Sequence, residues 1–125
     1  MVDTLERAQA DGQAPWQDPV LETKQFNVYL DRYPVTENHT LIVPKYHTIE
    51  CIGECFRYAM TMGVMNVETE DNQITGFNVG INMGESAGQT VAWPHVHLIF
   101  RRDGDMEDPR GGVRHVIPER GNYLV

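Results

Sequence analysis

The sequence lacks the features that mark disulfide-linked, membrane-spanning and secreted proteins. Its two cysteines, Cys51 and Cys55, lie four positions apart in a segment with helical periodicity, a spacing that matches neither a CxxC motif nor a disulfide framework. We expect two half-buried helix thiols in a reducing compartment. No apolar run approaches the roughly 20 residues that a membrane-spanning helix needs. Because the polar, acidic start does not resemble a secretory signal, we expect a cytoplasmic protein that does not bind membranes.

Basic residues are also scarce. The sequence has 10 lysines and arginines against 18 aspartates and glutamates, which gives a net charge of −8. Nonspecific binding of nucleic acid depends on basic side chains that displace counterions from phosphates, and no basic stripe is present. We therefore do not expect nucleic acid as a partner. An anionic small molecule is compatible with this charge only where local groups supply a positive potential.

The alternation of apolar and polar residues predicts the strands of the fold. Strand patterns occupy residues 26–31, 40–43, 76–82 and 95–101. Because the strands do not alternate with helices, they predict an α+β fold, with an antiparallel sheet covered on one face by a helix. A length of 125 residues fits a single domain spanning residues 1–125.

One long helix is predicted after Thr48, which is a suitable N-cap. Apolar residues recur at three- and four-residue steps and predict the stripe that packs on the sheet: Ile52, Phe56, Ala59, Met60, Gly63, Val64 and Val67. Outside these elements, weak periodicity predicts a loosely held arm at residues 1–20, which Trp16 is placed to pin to the body or to a partner. Glycine, proline and charge predict an irregular tail at residues 103–125.

Two histidines on one strand are the strongest candidates for chemistry. His95 and His97 are two positions apart, so both rings point to the same face, while Val96, Leu98 and Phe100 point into the core. The small-residue loop at 84–90 precedes them, and its glycines allow successive N–H groups to converge on an anion. An imidazole is partly neutral near pH 7 and is then a nucleophile toward phosphorus.

Spacing alone leaves other interpretations of the histidines open. Two surface histidines would show the same pattern. A zinc site is a second alternative, in which His39 or His47 completes the ligand set.

Three segments together resemble the histidine triad (HIT) family. Residues 88–100 (GQTVAWPHVHLIF) are similar to its signature, which is GQ[ST]V followed by histidines at alternate positions. Residues 31–47 (DRYPVTENHTLIVPKYH) and the turn at 80–84 (GINMG) resemble the family's upstream motifs. The resemblance covers residues 24–102, and the tail from residue 104 resembles bacterial members described as diadenosine tetraphosphate hydrolases. It implies a HIT-like antiparallel sheet of about five strands, a homodimer, and action on the α-phosphorus of nucleotides.

The resemblance also implies a role for each matching residue. His95 takes the position of the nucleophile, His97 that of the histidine that contacts phosphate and helps the leaving group, and His39 that of an upstream active-site histidine. Asp31 takes the position that holds the ribose hydroxyls. The phosphate pocket is implied at four positions: Asn82, Gly88, Gln89 and Thr90. Further candidate positive groups are Lys45, Arg101 and Arg102.

The sequence departs from the family at Trp93, where the first histidine of the triad should stand, and at Pro94. In the family that histidine mainly supports the site, and a main-chain carbonyl there can orient the nucleophile. We therefore expect the chemistry to survive Trp93, with a changed rate and substrate choice.

These observations lead to a specific hypothesis of function. His95 attacks the α-phosphorus of a dinucleoside polyphosphate or nucleoside phosphoramidate, and water hydrolyses the nucleotidyl-histidine. No cofactor is required, although Mg²⁺ can accompany a polyphosphate. The alternatives are a nucleotidyltransferase or phosphorylase, a nucleotide-binding protein whose catalysis Trp93 has weakened, and a zinc enzyme.

Overall fold

One antiparallel sheet of five strands organises the chain, whose computed structural model describes residues 3–124. The strand order is β1-β2-β3-β5-β4, which places β5 between β3 and β4. This arrangement, with one long helix, confirms the α+β prediction. The elements run in chain order: α1 Leu5–Ala10, β1 Leu21–Glu22, β2 Phe26–Leu30, β3 Thr40–Pro44, α2 Ile49–Glu68, β4 Gly76–Ile81 and β5 Val96–Arg101.

Strand β5 separates the core from the histidine face, as its alternation predicts. Three of its four apolar side chains pack in the core beneath α2: Val96, Leu98 and Phe100. His97 points to the opposite face, where it lies between Leu41 of β3 and Gly80 of β4 in the register of the sheet. A ring carried by a central strand is held more firmly than one on a loop, which suits a catalytic group.

Helix α2 begins where the sequence predicts, but only part of the predicted stripe packs on the sheet. The Thr48 hydroxyl accepts a hydrogen bond from the Cys51 amide at 3.1 Å and caps the helix. The buried residues of the helix are Cys51, Cys55, Ala59 and Gly63, whereas Met60, Val64 and Val67 of the predicted stripe are exposed. The prediction is therefore confirmed for Ala59 and Gly63 and wrong for the larger residues. Small residues allow the closest approach to the sheet, and the larger apolar residues lie on the adjacent face.

The two cysteines are therefore core residues rather than half-buried ones. Both are free thiols, and Cys55 is completely buried. Burial raises the pKa of the Cys55 thiol to about 12, with the neighbouring Cys51 adding to the effect. The thiol consequently stays protonated and behaves as a small apolar side chain.

The described part of the N-terminal arm, residues 3–20, packs against the histidine side of the sheet, in contrast to the prediction of a loosely held segment. The Thr4 side chain caps α1, and Leu5 and Ala8 are buried. A second core forms on this side of the sheet, flanked by Trp16: Leu5, Ala8, Ala14, Tyr29, Leu41, Val43 and Trp93. The arm is held because its few apolar residues meet Trp93, which is distant in sequence.

The tail after β5 is largely irregular, with two short 3₁₀ turns at Gly112–Val116 and Pro118–Arg120. Arg114 closes it on itself, because its guanidinium donates to the carbonyls of Gly121 and Arg120, each at 2.9 Å. None of the helices among residues 3–124 is long and apolar enough to cross a membrane.

The packing of the arm predicts a measurable difference between two variants of α1. Leu5 is 3% exposed, so Leu5→Ala should lower the free energy of unfolding by about 2–3 kcal/mol. Arg7 is exposed on the same helix, and Arg7→Ala should change it by less than about 0.5 kcal/mol. Urea unfolding of both variants checks this. Equal stabilities would show that the arm is not packed.

Candidate active site

A cleft of about 510 Å³ lies on the histidine side of the sheet, between the arm, the β2–β3 connection and the loop before β5. We call it the nucleotide cleft. Residues from four separate parts of the chain line it. All eight predicted site residues are among them: Asp31, His39, Asn82, Gly88, Gln89, Thr90, His95 and His97.

The orientation of His95 is fixed by the main chain. Its Nδ1 lies 3.1 Å from the carbonyl oxygen of Trp93. Because a carbonyl only accepts hydrogen bonds, Nδ1 must carry the proton and donate it. The other nitrogen, Nε2, then carries the lone pair of the neutral ring. This contact matches the expectation that a carbonyl at position 93 orients the nucleophile without a histidine side chain.

A chain of hydrogen bonds determines the tautomers of His39 and His97. The Val35 amide donates to His39 Nδ1 at 3.1 Å, so the proton of the neutral His39 ring is on Nε2. His39 Nε2 lies 2.9 Å from His97 Nδ1 and donates to it. The proton of the neutral His97 ring is consequently on Nε2, where it is a donor for a ligand in the cleft.

Burial keeps both rings of this pair neutral. It lowers the pKa of His97 to about 4, and the nearby His95 and His39 contribute in the same direction, whereas Asp31 opposes them. Burial also lowers the pKa of His39, again against the effect of Asp31. At neutral pH both rings are therefore uncharged, and the pair presents one N–H group, that of His97 Nε2, to the cleft. We call His39 and His97 together the relay.

Asp31 lies beside the relay and completes a cluster that resembles a metal site. One carboxylate oxygen accepts from the Tyr33 amide at 2.8 Å, and the other lies 3.5 Å from His39 Nε2. The ligand atoms of Asp31, His39 and His97 lie within 4.8 Å of one another. However, a metal would have to bind the lone pair of His39 Nε2. The hydrogen bond from the Val35 amide to Nδ1 leaves the proton of the neutral ring on Nε2, which disfavours a metal there.

His47, the other histidine considered for zinc, lies elsewhere. Its ring packs against the indole of Trp93, with centroids 5.5 Å apart. It is not among the residues that line the nucleotide cleft.

The loop before β5 differs in detail from the expected anion cradle. Gly84 and Gly88 have φ values of 96° and 92°, which glycine adopts without strain. The amides of Ala87, Gly88 and Gln89 all donate to carbonyls within the loop. The Gln89 side chain accepts from the Gly84 amide at 2.8 Å and donates to two further loop carbonyls. Gln89 therefore braces the loop and has no free group for phosphate.

Two amides next to this loop are not engaged in the same way. The N–H groups of Thr90 and Val91 have no hydrogen-bond acceptor among residues 3–124. Both residues line the nucleotide cleft, and the Thr90 hydroxyl is there as well. Val91 was not predicted, because its apolar side chain carries no signal for a contribution made by the backbone.

The cations of the site also differ from the expected set. Lys45 does not line the nucleotide cleft, and Arg101 is paired with Asp105 at 2.8 Å. Arg102 donates to the carbonyl of Glu37 at 3.3 Å. Among the described residues that line the cleft, Arg32 is the one lysine or arginine.

Trp16 is a second cleft residue whose place at the site the sequence did not reveal. Its ring centroid lies 4.9 Å from that of His95 and 6.2 Å from that of Tyr29. The Gln9 side chain donates to the Trp16 carbonyl at 3.1 Å and ties it to α1. The arm thus supplies an aromatic wall beside His95.

The chain is similar in sequence to known proteins. Residues 16–104 match the HIT domain. The chain is 35% identical over 86 residues to adenosine 5'-monophosphoramidase HNT1 of Saccharomyces cerevisiae, covering 67% of this chain and 54% of HNT1. It is 35% identical over 81 residues to adenylylsulfatase HINT3 of Arabidopsis thaliana, covering 61% of this chain and 41% of HINT3. It is 33% identical over 82 residues to AP-4-A phosphorylase of Mycobacterium tuberculosis, covering 61% and 42%. The matches thus span about half the length of these relatives.

Solved structures give the same result. A Zn-bound histidine triad family protein from Mycobacterium smegmatis superposes with a TM-score of 0.66 at 30% identity, covering 84% of this chain and 79% of that one. A HIT family protein from Bacillus anthracis superposes with a TM-score of 0.62 at 31% identity, covering 82% and 75%. The chain belongs to the HIT family.

Proposed function

We propose that this protein is a nucleotide hydrolase that acts at the α-phosphorus through a nucleotide bound covalently to His95. One observation carries the proposal: the Trp93 carbonyl fixes the proton of His95 on Nδ1, so the lone pair on Nε2 is available in the nucleotide cleft. The relatives support a nucleotide substrate, because their names describe a monophosphoramidase, an adenylylsulfatase and a dinucleotide phosphorylase.

The first step is displacement at phosphorus. The Nε2 lone pair of His95 forms a bond to the α-phosphorus as the bond to the leaving group breaks, and the leaving atom takes the electron pair. The positive charge that develops on His95 is stabilised by the hydrogen bond from Nδ1 to the Trp93 carbonyl. The N–H group at Nε2 of His97 donates a hydrogen bond to the leaving atom, which then takes a proton from solvent.

The second step is hydrolysis of the phosphorus–nitrogen bond. Water attacks the phosphorus, its proton passes to solvent, and the electron pair of the broken bond returns to His95 Nε2. The free amides of Thr90 and Val91 are placed to stabilise charge on the phosphate oxygens. Asp31 accepts from the ribose hydroxyls, and Asn82 lies at the phosphate end of the cleft.

Both steps use groups of the chain, so we propose that the protein needs no resident cofactor. Mg²⁺ enters only as the counterion of a polyphosphate substrate. Retention of phosphoramidate turnover in EDTA supports this part of the proposal, and loss of that turnover, restored by one metal, contradicts it.

The nucleophile is tested by removing it. His95→Ala should lower turnover by several orders of magnitude because no other group can form the covalent intermediate. Nucleotide binding, measured by calorimetry, should persist. Mass spectrometry after an alkaline quench should find one nucleotidyl group on the wild-type chain and none on the variant. Full activity of His95→Ala rules out the mechanism, and a nucleoside diphosphate product in added phosphate identifies a phosphorylase instead.

The neutral relay predicts a pH dependence of stability. The pKa of His97 is about 4 in the folded protein and about 6.5 in the unfolded chain, so the unfolded chain binds the proton more readily. The contribution to stability is complete above about pH 6.5 and is lost as the pH falls to about 4. The urea midpoint should fall across this window, and it should fall less in His97→Gln. Parallel curves for the two proteins would contradict the assignment.

We further propose that the protein forms a homodimer, with an interface made by the edge of the sheet and the outer face of α2 in each copy. Strand β4 lies at the edge, and Gly63 of α2 packs directly on its Phe77. The adjacent stripe of α2 is apolar although it is exposed to solvent in the monomer: Met60, Val64 and Val67. A second copy that pairs β4 with β4 would satisfy the edge and cover the stripe.

The dimer is tested by placing a charge on this stripe. Val64 is 43% exposed, and Val64→Glu should convert a dimer into a monomer because the carboxylate would lose its water at the interface. Val20, 61% exposed just before β1 at the far edge of the sheet, gives the control Val20→Glu, which should remain dimeric. Sedimentation velocity measures both. A monomeric wild type would refute the proposal.

A further inference from the structure

The indole of Trp16 contacts a ring that the proposed mechanism makes positively charged. Its centroid lies 4.9 Å from that of His95, and the two ring planes are inclined by 57°. Both residues are half-buried and line the nucleotide cleft. The contact between an aromatic face and an imidazole is stronger when the imidazole is charged than when it is neutral. The energy of this contact therefore changes during the reaction.

No carboxylate among residues 3–124 forms an ion pair with His95 that could balance this charge. The Trp93 carbonyl accepts the hydrogen bond from Nδ1. The other ring next to His95 is His97, with centroids 5.0 Å apart, and that ring is neutral at pH 7. Trp16 is thus the neighbouring side chain whose π face is suited to a cation.

The geometry favours attraction between the indole and the charged ring. The face of an indole carries partial negative charge, and a cation within about 6 Å of its centroid is attracted to it. Both nitrogens of His95 have other partners, because Nδ1 donates to the Trp93 carbonyl and Nε2 bonds to phosphorus. The C–H groups of the ring are left to contact Trp16, and they share the positive charge once phosphorus is bound.

Contacts from α1 and β2 hold Trp16 in this position. The Gln9 side chain donates to the Trp16 carbonyl at 3.1 Å and to the Tyr29 hydroxyl at 3.2 Å. Tyr29 is 2% exposed, its hydroxyl also accepts from the Asn27 side chain at 3.1 Å, and its ring packs against Trp16. The indole is therefore anchored beside His95 before substrate binds, so little ordering is needed during the reaction.

From these contacts we infer that Trp16 is a positioning residue for the nucleophile. Its indole attracts the positive charge that His95 acquires as Nε2 bonds to phosphorus, through a cation–π interaction. The inference rests on the proposed function, because it concerns the step in which His95 becomes charged. An interaction that strengthens as charge develops stabilises the transition state more than the free enzyme. Trp16 therefore acts on the formation of the covalent intermediate, whichever base or leaving group the substrate carries.

Inorganic phosphoramidate tests this effect without a nucleotide. In the reaction, Nε2 of His95 forms a bond to phosphorus as the phosphorus–nitrogen bond breaks, and ammonia leaves with the electron pair and its protons. Mass spectrometry of digests after an alkaline quench gives the rate of phosphorylation at each histidine. His47 is the internal reference, because it is exposed and packs against Trp93 rather than Trp16.

Trp16→Met and Trp16→Phe form a matched pair, because both shorten the side chain and only phenylalanine keeps an aromatic face. Trp16→Met should lower the rate at His95 by about fivefold to tenfold. Trp16→Phe should stay within about threefold of the wild type. The rate at His47 should be unchanged in both variants, and urea unfolding confirms that they are folded. Trp16→Leu is a second non-aromatic variant with the same expected loss.

Rapid-quench measurements with adenosine 5'-phosphoramidate extend the comparison to the nucleotide. Formation of nucleotidyl-His95 should slow in Trp16→Met by the same factor as with inorganic phosphoramidate. The Kd of AMP, measured by calorimetry, should stay within about twofold of the wild type, because the effect lies in the chemical step.

Four outcomes overturn the inference. Unchanged rates at His95 in Trp16→Met and Trp16→Leu do so and leave the hydrolase proposal intact. An equal loss in Trp16→Phe and Trp16→Met shows that the volume of the indole matters and not its π face. Weaker AMP binding with an unchanged rate at His95 assigns Trp16 to the nucleobase. If neither donor labels His95 in the wild type, the proposed function fails and the role of Trp16 falls with it.

Discussion

The site depends on the buried residue Trp93 and its contacts with three other parts of the chain. The residue is 2% exposed, and it makes three hydrogen bonds in different directions. Its indole N–H donates to the Pro44 carbonyl at 2.8 Å, and its amide donates to the Gln13 carbonyl at 3.2 Å. Its own carbonyl accepts from His95 at 3.1 Å. One residue thereby joins strand β3, the N-terminal arm and the proposed nucleophile.

This arrangement explains how the site is built with a tryptophan at position 93, where the family resemblance implies a histidine. Burying an indole removes 150–250 Å² of surface from water, roughly 4–6 kcal/mol at about 25 cal/mol per Å². That energy holds the backbone that leads into β5, and the restricted φ of Pro94 limits its motion further. The Trp93 carbonyl is therefore held in place before substrate binds. The same indole provides the surface on which the arm packs, and the arm carries Trp16 to within 4.9 Å of the His95 ring.

The parts of the fold that could be predicted are those whose signals are local. Alternation in β5 placed His97 on one face and Leu98 on the other, and Thr48 marked the start of α2, because each pattern is repeated within a few residues. The buried face of α2 was predicted only in part, because apolar residues occupy two adjacent stripes and periodicity does not show which stripe meets the sheet. The packing of the arm was missed because Leu5 and Ala8 gain their partner, Trp93, only in the folded chain.

The site residues divide in the same way. His95, His97 and Asp31 were predicted as site residues because their motifs are specific for side chains, and the three lie in one cleft. Gln89 was assigned to phosphate, but its side chain braces the loop, and the free donors are the amides of Thr90 and Val91. A motif shows which side chain stands at a position but not whether that side chain contacts the ligand or the backbone. The hydrogen bonds of the folded chain make this distinction.

The electrostatics of the site fit a chain with a net charge of −8. The site relies mainly on neutral groups: a relay of two uncharged imidazoles, free amides and a hydroxyl, with Arg32 as the one lysine or arginine among the described lining residues. Neutral donors avoid the cost of burying charge in the empty site. A phosphate placed against His97 favours the charged form of the ring and raises its pKa. Under the proposed function, binding of the substrate anion and uptake of a proton would therefore be coupled at His97.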